Sequence, residues 1–150
     1  MAKLLLLNGP NLNTLGQREP EIYGRDTLAD IEGRVRKTVE AAGHQLWCYQ
    51  SNSEGALIDW LQEHREAGFL VFNPGAFTHT SIALRDCLAG LAIPFVEVHI
   101  SNIHKREAFR HHSYLSGIAE GQVVGLGAIG YELAAQFALD FLGRNPKKGP

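Results

Sequence analysis

Short unbroken apolar runs alternate along this chain with stretches in which apolar side chains recur every three or four positions. The first kind reads as strands buried on both faces, the second as amphipathic helices. The leucines from Leu4 to Leu7 place a strand over Lys3 to Asn8. Further strands are expected over His44 to Gln50, Phe69 to Asn73, Pro94 to His99 and Gln122 to Leu126. Between them, Leu28, Ile31, Val35 and Val39 share one helical face; Thr27 with Asp30 offers an N-cap, and Gly43 ends the helix. A second helix starts at Ser53, turns Leu57, Ile58 and Leu61 inward and stops near Gly68. A third covers about Thr80 to Leu91. A fourth runs from about Ala128 to Leu142, with Ile129, Leu133, Phe137 and Phe141 along one side.

Strict alternation of strands and helices predicts an α/β fold: a three-layer, flavodoxin-like, doubly wound sheet of five parallel strands with helices on both faces. One catalytic domain is expected over residues 1–150, with a frayed tail over about 145–150. Such sheets bind ligands at the carboxyl ends of their strands. Two long polar loops emerge there, one over about 9–26 and one from His99 through Ser113. Composition changes this picture little: 45% of residues are hydrophobic and 20% charged, as in ordinary folded domains. A formal net charge of −2 supplies no field for nucleic acid or an anionic membrane, so neither is an expected partner. The leucine run is too short for a signal-peptide core or a membrane span. Cys48 and Cys87 lie far apart without a CxxC spacing and read as buried free thiols of a cytoplasmic protein.

Polar residues gather where the strand-end rule directs attention. After the first strand come Asn11 and a loop holding Arg18, Tyr23 and Arg25. A phenol is a poor base at neutral pH unless cations stabilise its anion, which these arginines offer; a surface tyrosine stacked on an arginine is the plainer alternative. His99 ends the fourth strand, two residues beyond Glu97 on the same strand face. A carboxylate so placed can hold the imidazole as a general acid, or the histidine is merely structural. Asn11 and Asn73 can orient a water or a substrate oxygen, or simply close loops. Arg106 and Arg110, four apart and sharing one helical face, can meet an anion or pair with Glu107.

Other patterns carry less. Gly125-Leu126-Gly127-Ala128-Ile129-Gly130 fits G-x-G-x-x-G, but no strand with an acidic residue follows, which favours a tight turn with close helix packing. His99, His104, His111 and His112 have no zinc-site spacing, so no metal is expected.

The residues then point to a family. Leu7-Asn8-Gly9-Pro10-Asn11-Leu12-Asn13 and Gly16-Gln17-Arg18-Glu19-Pro20-Glu21-Ile22-Tyr23-Gly24 resemble the opening of type II 3-dehydroquinate dehydratases. Asn73-Pro74-Gly75-Ala76, His79-Thr80-Ser81, Glu97-Val98-His99-Ile100-Ser101-Asn102 and Arg106 through Ser113 match further signatures, and the likeness runs from Lys3 to about Leu142. The resemblance implies anti dehydration of 3-dehydroquinate to 3-dehydroshikimate in the shikimate pathway, through an enolate, without metal or cofactor. It makes Tyr23 the base, with Arg18 favouring its phenolate, and His99 the acid, supported by Glu97. Asn11 helps hold a water on the enolate, and Asn73 with Ile100 and Ser101 binds the substrate carboxylate. His79, Asp86 and Arg110 contact ring hydroxyls, Arg106 closes over the site, and the first long loop becomes a lid. It further implies a homo-oligomer, a dodecamer built from trimers, with Asp86 reaching toward a neighbouring subunit. Thr14, where an apolar residue is usual, and Phe77, where Tyr or Leu is frequent, depart from the commonest pattern.

Overall fold

A computed structural model describes residues 1–17 and 19–146. Five strands, β1 (Lys3–Asn8), β2 (Gln45–Gln50), β3 (Phe69–Asn73), β4 (Phe95–His99) and β5 (Gly121–Val124), form one sheet in the order β2-β1-β3-β4-β5. Every neighbouring pair is parallel. The central strands are covered on both faces, and for that reason they read as continuous apolar runs. Leu5, Leu6 and Leu7 have no exposed surface, nor do Phe69, Leu70 and Phe72.

Helices α2 (Leu28–Ala41) and α5 (Ile129–Arg144) cover one face, while α3 (Glu54–Glu63) and α4 (Ile82–Leu91) cover the other. Thr27 and Asp30 form the expected capping box on α2: each side chain accepts from the other's backbone N–H at 3.1 Å. Ser53 and Ser81 cap α3 and α4 with one bond each, their hydroxyls accepting from the Ala56 and Leu84 N–H groups. The sheet is therefore the expected flavodoxin-like, doubly wound one, and its chain order reverses between β1 and β3.

Three expectations need correction. Helix α3 stops at Glu63 rather than near Gly68, because His64 closes it with bonds to the Trp60 and Leu61 carbonyls and packs its ring on Trp60. Strand β5 ends at Val124, since Gly125 turns at φ 84° and gives its N–H to the His99 carbonyl. The buried face of α5 is Gly130, Tyr131, Ala134, Ala135 and Ala138, whereas Ile129 and Leu133 are 56% and 38% exposed. Small residues let this helix approach the sheet closely, and a Cβ on Gly130 would stand 3.2 Å from Val123. The G-x-G-x-x-G segment is thus a tight turn with close helix packing: a Cβ on Gly125 would meet that of Asn102 at 2.8 Å.

The segment over 9–26 is more ordered than a polar loop. It holds a 3-10 turn at Leu12–Thr14 and a short helix, α1 (Pro20–Tyr23). Leu12 and Leu15 anchor it in the core beneath α2. Thr14 donates its hydroxyl to the Asn11 carbonyl at 2.7 Å, and Phe77 packs partly buried against the core on the α3 and α4 side. Asn145 bonds back to Phe141, and residues 147–150 of the expected tail lie outside the described residues.

Candidate active site

Because β1, β3 and β4 are neighbours, their carboxyl ends bring three loops to one cleft. Asn8 and Asn73 stand level across β1 and β3, and the loops beyond them touch. Gly9 donates to the Asn73 carbonyl at 2.8 Å, and a Cβ there would fall 2.2 Å from the Pro74 oxygen. Only glycine allows these two loops so near. Asn11 sits at φ 70°, a left-handed conformation asparagine tolerates, and its N–H is held by the Asn52 side chain at 2.9 Å.

Of the candidates from the sequence, Asn11, Tyr23, Asn73, His79, His99, Ile100, Ser101, Arg106 and Arg110 line this one cleft. Glu97 lies directly beneath it, fully buried. Arg18 lies outside the described residues. Asp86 is exposed on α4 and does not line the cleft. Arg25, expected beside Tyr23, is exposed and does not line it either. Among the described residues, Arg106 brings a cation to the phenol: its Nη1 donates to Tyr23 Oη at 2.9 Å and to Ser101 Oγ at 3.3 Å. Arg106 and Arg110 do not share a helix: one follows the 3-10 turn Ile103–Lys105, the other ends the turn Ala108–Arg110. Arg110 pairs with Glu107 at 2.8 Å.

The strand alternation that places Glu97 and His99 on one side is realised as a bond of 2.5 Å between His99 Nε2 and Glu97 Oε2. Burial works against the Glu97 carboxylate, but the bond and charge of His99 and the hydroxyls of Thr78 and Ser113 outweigh it. They hold the group below the ordinary glutamate range. His79 lies with its ring centroid 6.3 Å from that of His99 and bonds the His112 carbonyl through Nδ1 at 2.8 Å. Burial lowers its pKa, helped by the charges of His99 and Arg110 and opposed by that carbonyl.

Sequence reading missed the support beneath Asn73. Tyr131, fully buried on α5, accepts from Asn73 Nδ2 at 2.7 Å and donates to Asn8 Oδ1 at 2.6 Å. With Gly75 N–H on its oxygen at 3.0 Å, the Asn73 amide is fixed in one orientation. Burial pushes the Tyr131 phenol far above its usual titration range, so it stays neutral and keeps its proton to donate. No signal marked this tyrosine, because it faces a sheet through a helix side read as outward. Among the described residues, no group of three or more His, Cys, Asp and Glu is arranged to hold a metal ion. A phenol contacted by a guanidinium and an imidazole bonded to a carboxylate, both opening on one cleft, form a base and acid suited to proton transfer.

A family model described as dehydroquinase class II matches residues 2–139. A protein of Janthinobacterium sp. (strain Marseille) named 3-dehydroquinate dehydratase is 62% identical over 142 residues, which cover 93% of this chain and 98% of that protein. One of the same name from Halorhodospira halophila is 60% identical over 145 residues, 95% of this chain and 98% of that one. Among solved structures, the type II dehydroquinase of Butyrivibrio crossotus superposes with a TM-score of 0.88 at 44% identity. That match covers 91% of this chain and 97% of that one.

Proposed function

This chain belongs to the class II dehydroquinase family, and from that premise we propose that it dehydrates 3-dehydroquinate to 3-dehydroshikimate in the shikimate pathway. Tyr23 removes the proton beside the ketone, with Arg106 and Arg18 stabilising its phenolate. The enolate that forms is stabilised through a water held by Asn11. His99, supported by Glu97, gives its proton to the departing hydroxyl, and water leaves anti to the abstracted proton. Asn73, Ile100 and Ser101 receive the substrate carboxylate, while His79 and Arg110 contact ring hydroxyls. Asp86 serves a neighbour's site in a homo-oligomer, a dodecamer built from trimers. The 9–26 segment acts as the lid, and the enzyme works in the cytoplasm without metal or cofactor.

The observation that carries this reading is the pairing, in one cleft, of Tyr23 under Arg106 and His99 on Glu97. Incubation with 3-dehydroquinate tests it, followed by the ultraviolet absorbance of the conjugated enone. Absorbance grows in proportion to enzyme if the reading holds. No growth anywhere between about pH 6 and 9 overturns it.

A further inference from the structure

Glu97 is buried without exposed surface, yet it receives donors from four directions. On Oε2 it takes His99 Nε2 and Thr78 Oγ1, each at 2.5 Å. On Oε1 it takes Ser113 Oγ at 2.9 Å and Gln122 Nε2 at 3.3 Å. Thr78 comes from the 3-10 turn Gly75–His79 that follows β3, and Ser113 from the loop that follows β4. The two segments are stapled together by the Tyr114 N–H on the Thr78 carbonyl at 2.8 Å. The proton positions follow from the partners. Ser113 Oγ already accepts the N–H groups of Leu115 and Ser116 at 3.0 Å, so its own proton is left to face Thr78 Oγ1 at 2.7 Å and the Glu97 oxygens at 2.9 and 3.0 Å, of which the charged carboxylate is the stronger acceptor. Both hydroxyls therefore act as donors to Glu97.

We propose that Thr78 and Ser113 are positioning residues for the acid half of the reaction, governing through Glu97 how tightly His99 holds the proton it delivers. The inference rests on the reading of His99 as the acid. When the C–O bond of the substrate breaks, the His99 proton passes to the departing oxygen, water is released, and a neutral imidazole remains beside the carboxylate. In that state Glu97 keeps its charge and its bond from His99 Nε2 but loses the attraction of the imidazolium charge, so the two hydroxyls carry more of its stabilisation. Without them the carboxylate draws the proton back toward the pair, and His99 becomes a weaker acid. Because one hydrogen bond joins Glu97 and His99, the test below reads the pair rather than either residue alone. His79, Tyr23, Arg106 and Arg110 also face this cleft, and all four are unchanged in the variants below.

The test compares Thr78→Val, which keeps the shape of the side chain, Ser113→Ala, and Thr78→Ser, which restores the hydroxyl. The His99 ring protons are titrated by NMR in the free protein, and kcat for 3-dehydroquinate is followed against pH. Thr78→Val and Ser113→Ala should each move the titration and the alkaline limb of kcat upward by about half a unit or more. Plateau kcat should fall by about threefold or more, and Thr78→Ser should return to the parent profile. Either substitution suffices if the other does not fold. A lowered melting temperature with an unshifted titration, or a downward shift, overturns the proposal and leaves the hydroxyls merely structural. Turnover by the parent enzyme with an unshifted titration in the variants overturns this inference alone. Absence of turnover by the parent overturns the acid role itself.

Discussion

Replacing Tyr131 by Phe isolates two hydrogen bonds in a dry environment. The ring has no exposed surface, and Phe fills the same space, so no cavity is opened. What disappears is one hydroxyl whose partners, Asn73 Nδ2 at 2.7 Å and Asn8 Oδ1 at 2.6 Å, are both buried. Asn73 keeps its bond to the Gly75 N–H. Asn8 fares worse, because its Nδ2 already lacks a partner among the described residues. Each buried polar group left unsatisfied costs about 1–3 kcal/mol. Partial relaxation brings the pair to about 3 kcal/mol, a fall in melting temperature of about 6–12 °C for a chain of this size. Urea unfolding followed by circular dichroism at fixed protein concentration measures it. A double-mutant cycle with Asn8→Leu should show coupling of about 1 kcal/mol or more. A loss below about 1 kcal/mol, or strict additivity in the cycle, would show that the hydroxyl does not bridge the two amides.

Tyr23→Phe should lower kcat by about two to four orders of magnitude in the enone assay with the fold intact; near-normal turnover would remove Tyr23 as the base. Gly9→Ala should destabilise by about 2 kcal/mol or more, since its Cβ would lie 2.2 Å from the Pro74 oxygen, and a thermal scan at the parent's midpoint would contradict that. Because the Glu97 pKa is lowered by folding, its contribution is present above the ordinary value of 4.5 and is lost as pH falls through the folded-state value. Urea midpoints between about pH 6 and 3 should therefore fall less steeply in Glu97→Gln, and an unchanged slope would place the acid sensitivity elsewhere.

How far the sequence revealed the molecule depended on the physics at each position. Strands β1, β3 and β4 were legible to within a residue because burial on both faces demands continuous apolar side chains. Strand β5 is an edge strand with a less buried pattern and a glycine turn after it, so its end was misplaced. Helix α5 misled for another reason: close approach to the sheet selects Gly130, Ala134 and Ala135, whereas a hydrophobicity pattern favours the larger Ile129 and Leu133. Most of the cleft was readable from the strand-end rule. The bond of Arg106 to Tyr23 was not, because the two are 83 residues apart in sequence and meet only in space. Thr78, Ser113 and Gln122 gave no signal, since a hydroxyl or an amide gains meaning only when three segments converge on one carboxylate.

That convergence also separates the two halves of the site mechanically. His99 and Glu97 belong to a strand whose residues are all buried, paired on both sides by β3 and β5, and the proposed acid inherits that rigidity. Tyr23 ends a helix of four residues, too short to hold its shape by its own hydrogen bonds. Its position therefore depends on tertiary partners, and the bond from Arg106 joins the first loop to the segment after β4. The same guanidinium bonds Ser101, where the substrate carboxylate is proposed to dock. An anion arriving there competes for the N–H groups that now hold Ser101 and Tyr23, so binding and placement of the proposed base are coupled through one side chain. Arg106→Lys, which keeps the charge but loses the planar fork, separates these roles. It should lower kcat more than it raises KM, whereas a rise in KM alone would leave Arg106 as a contact for the substrate and nothing more.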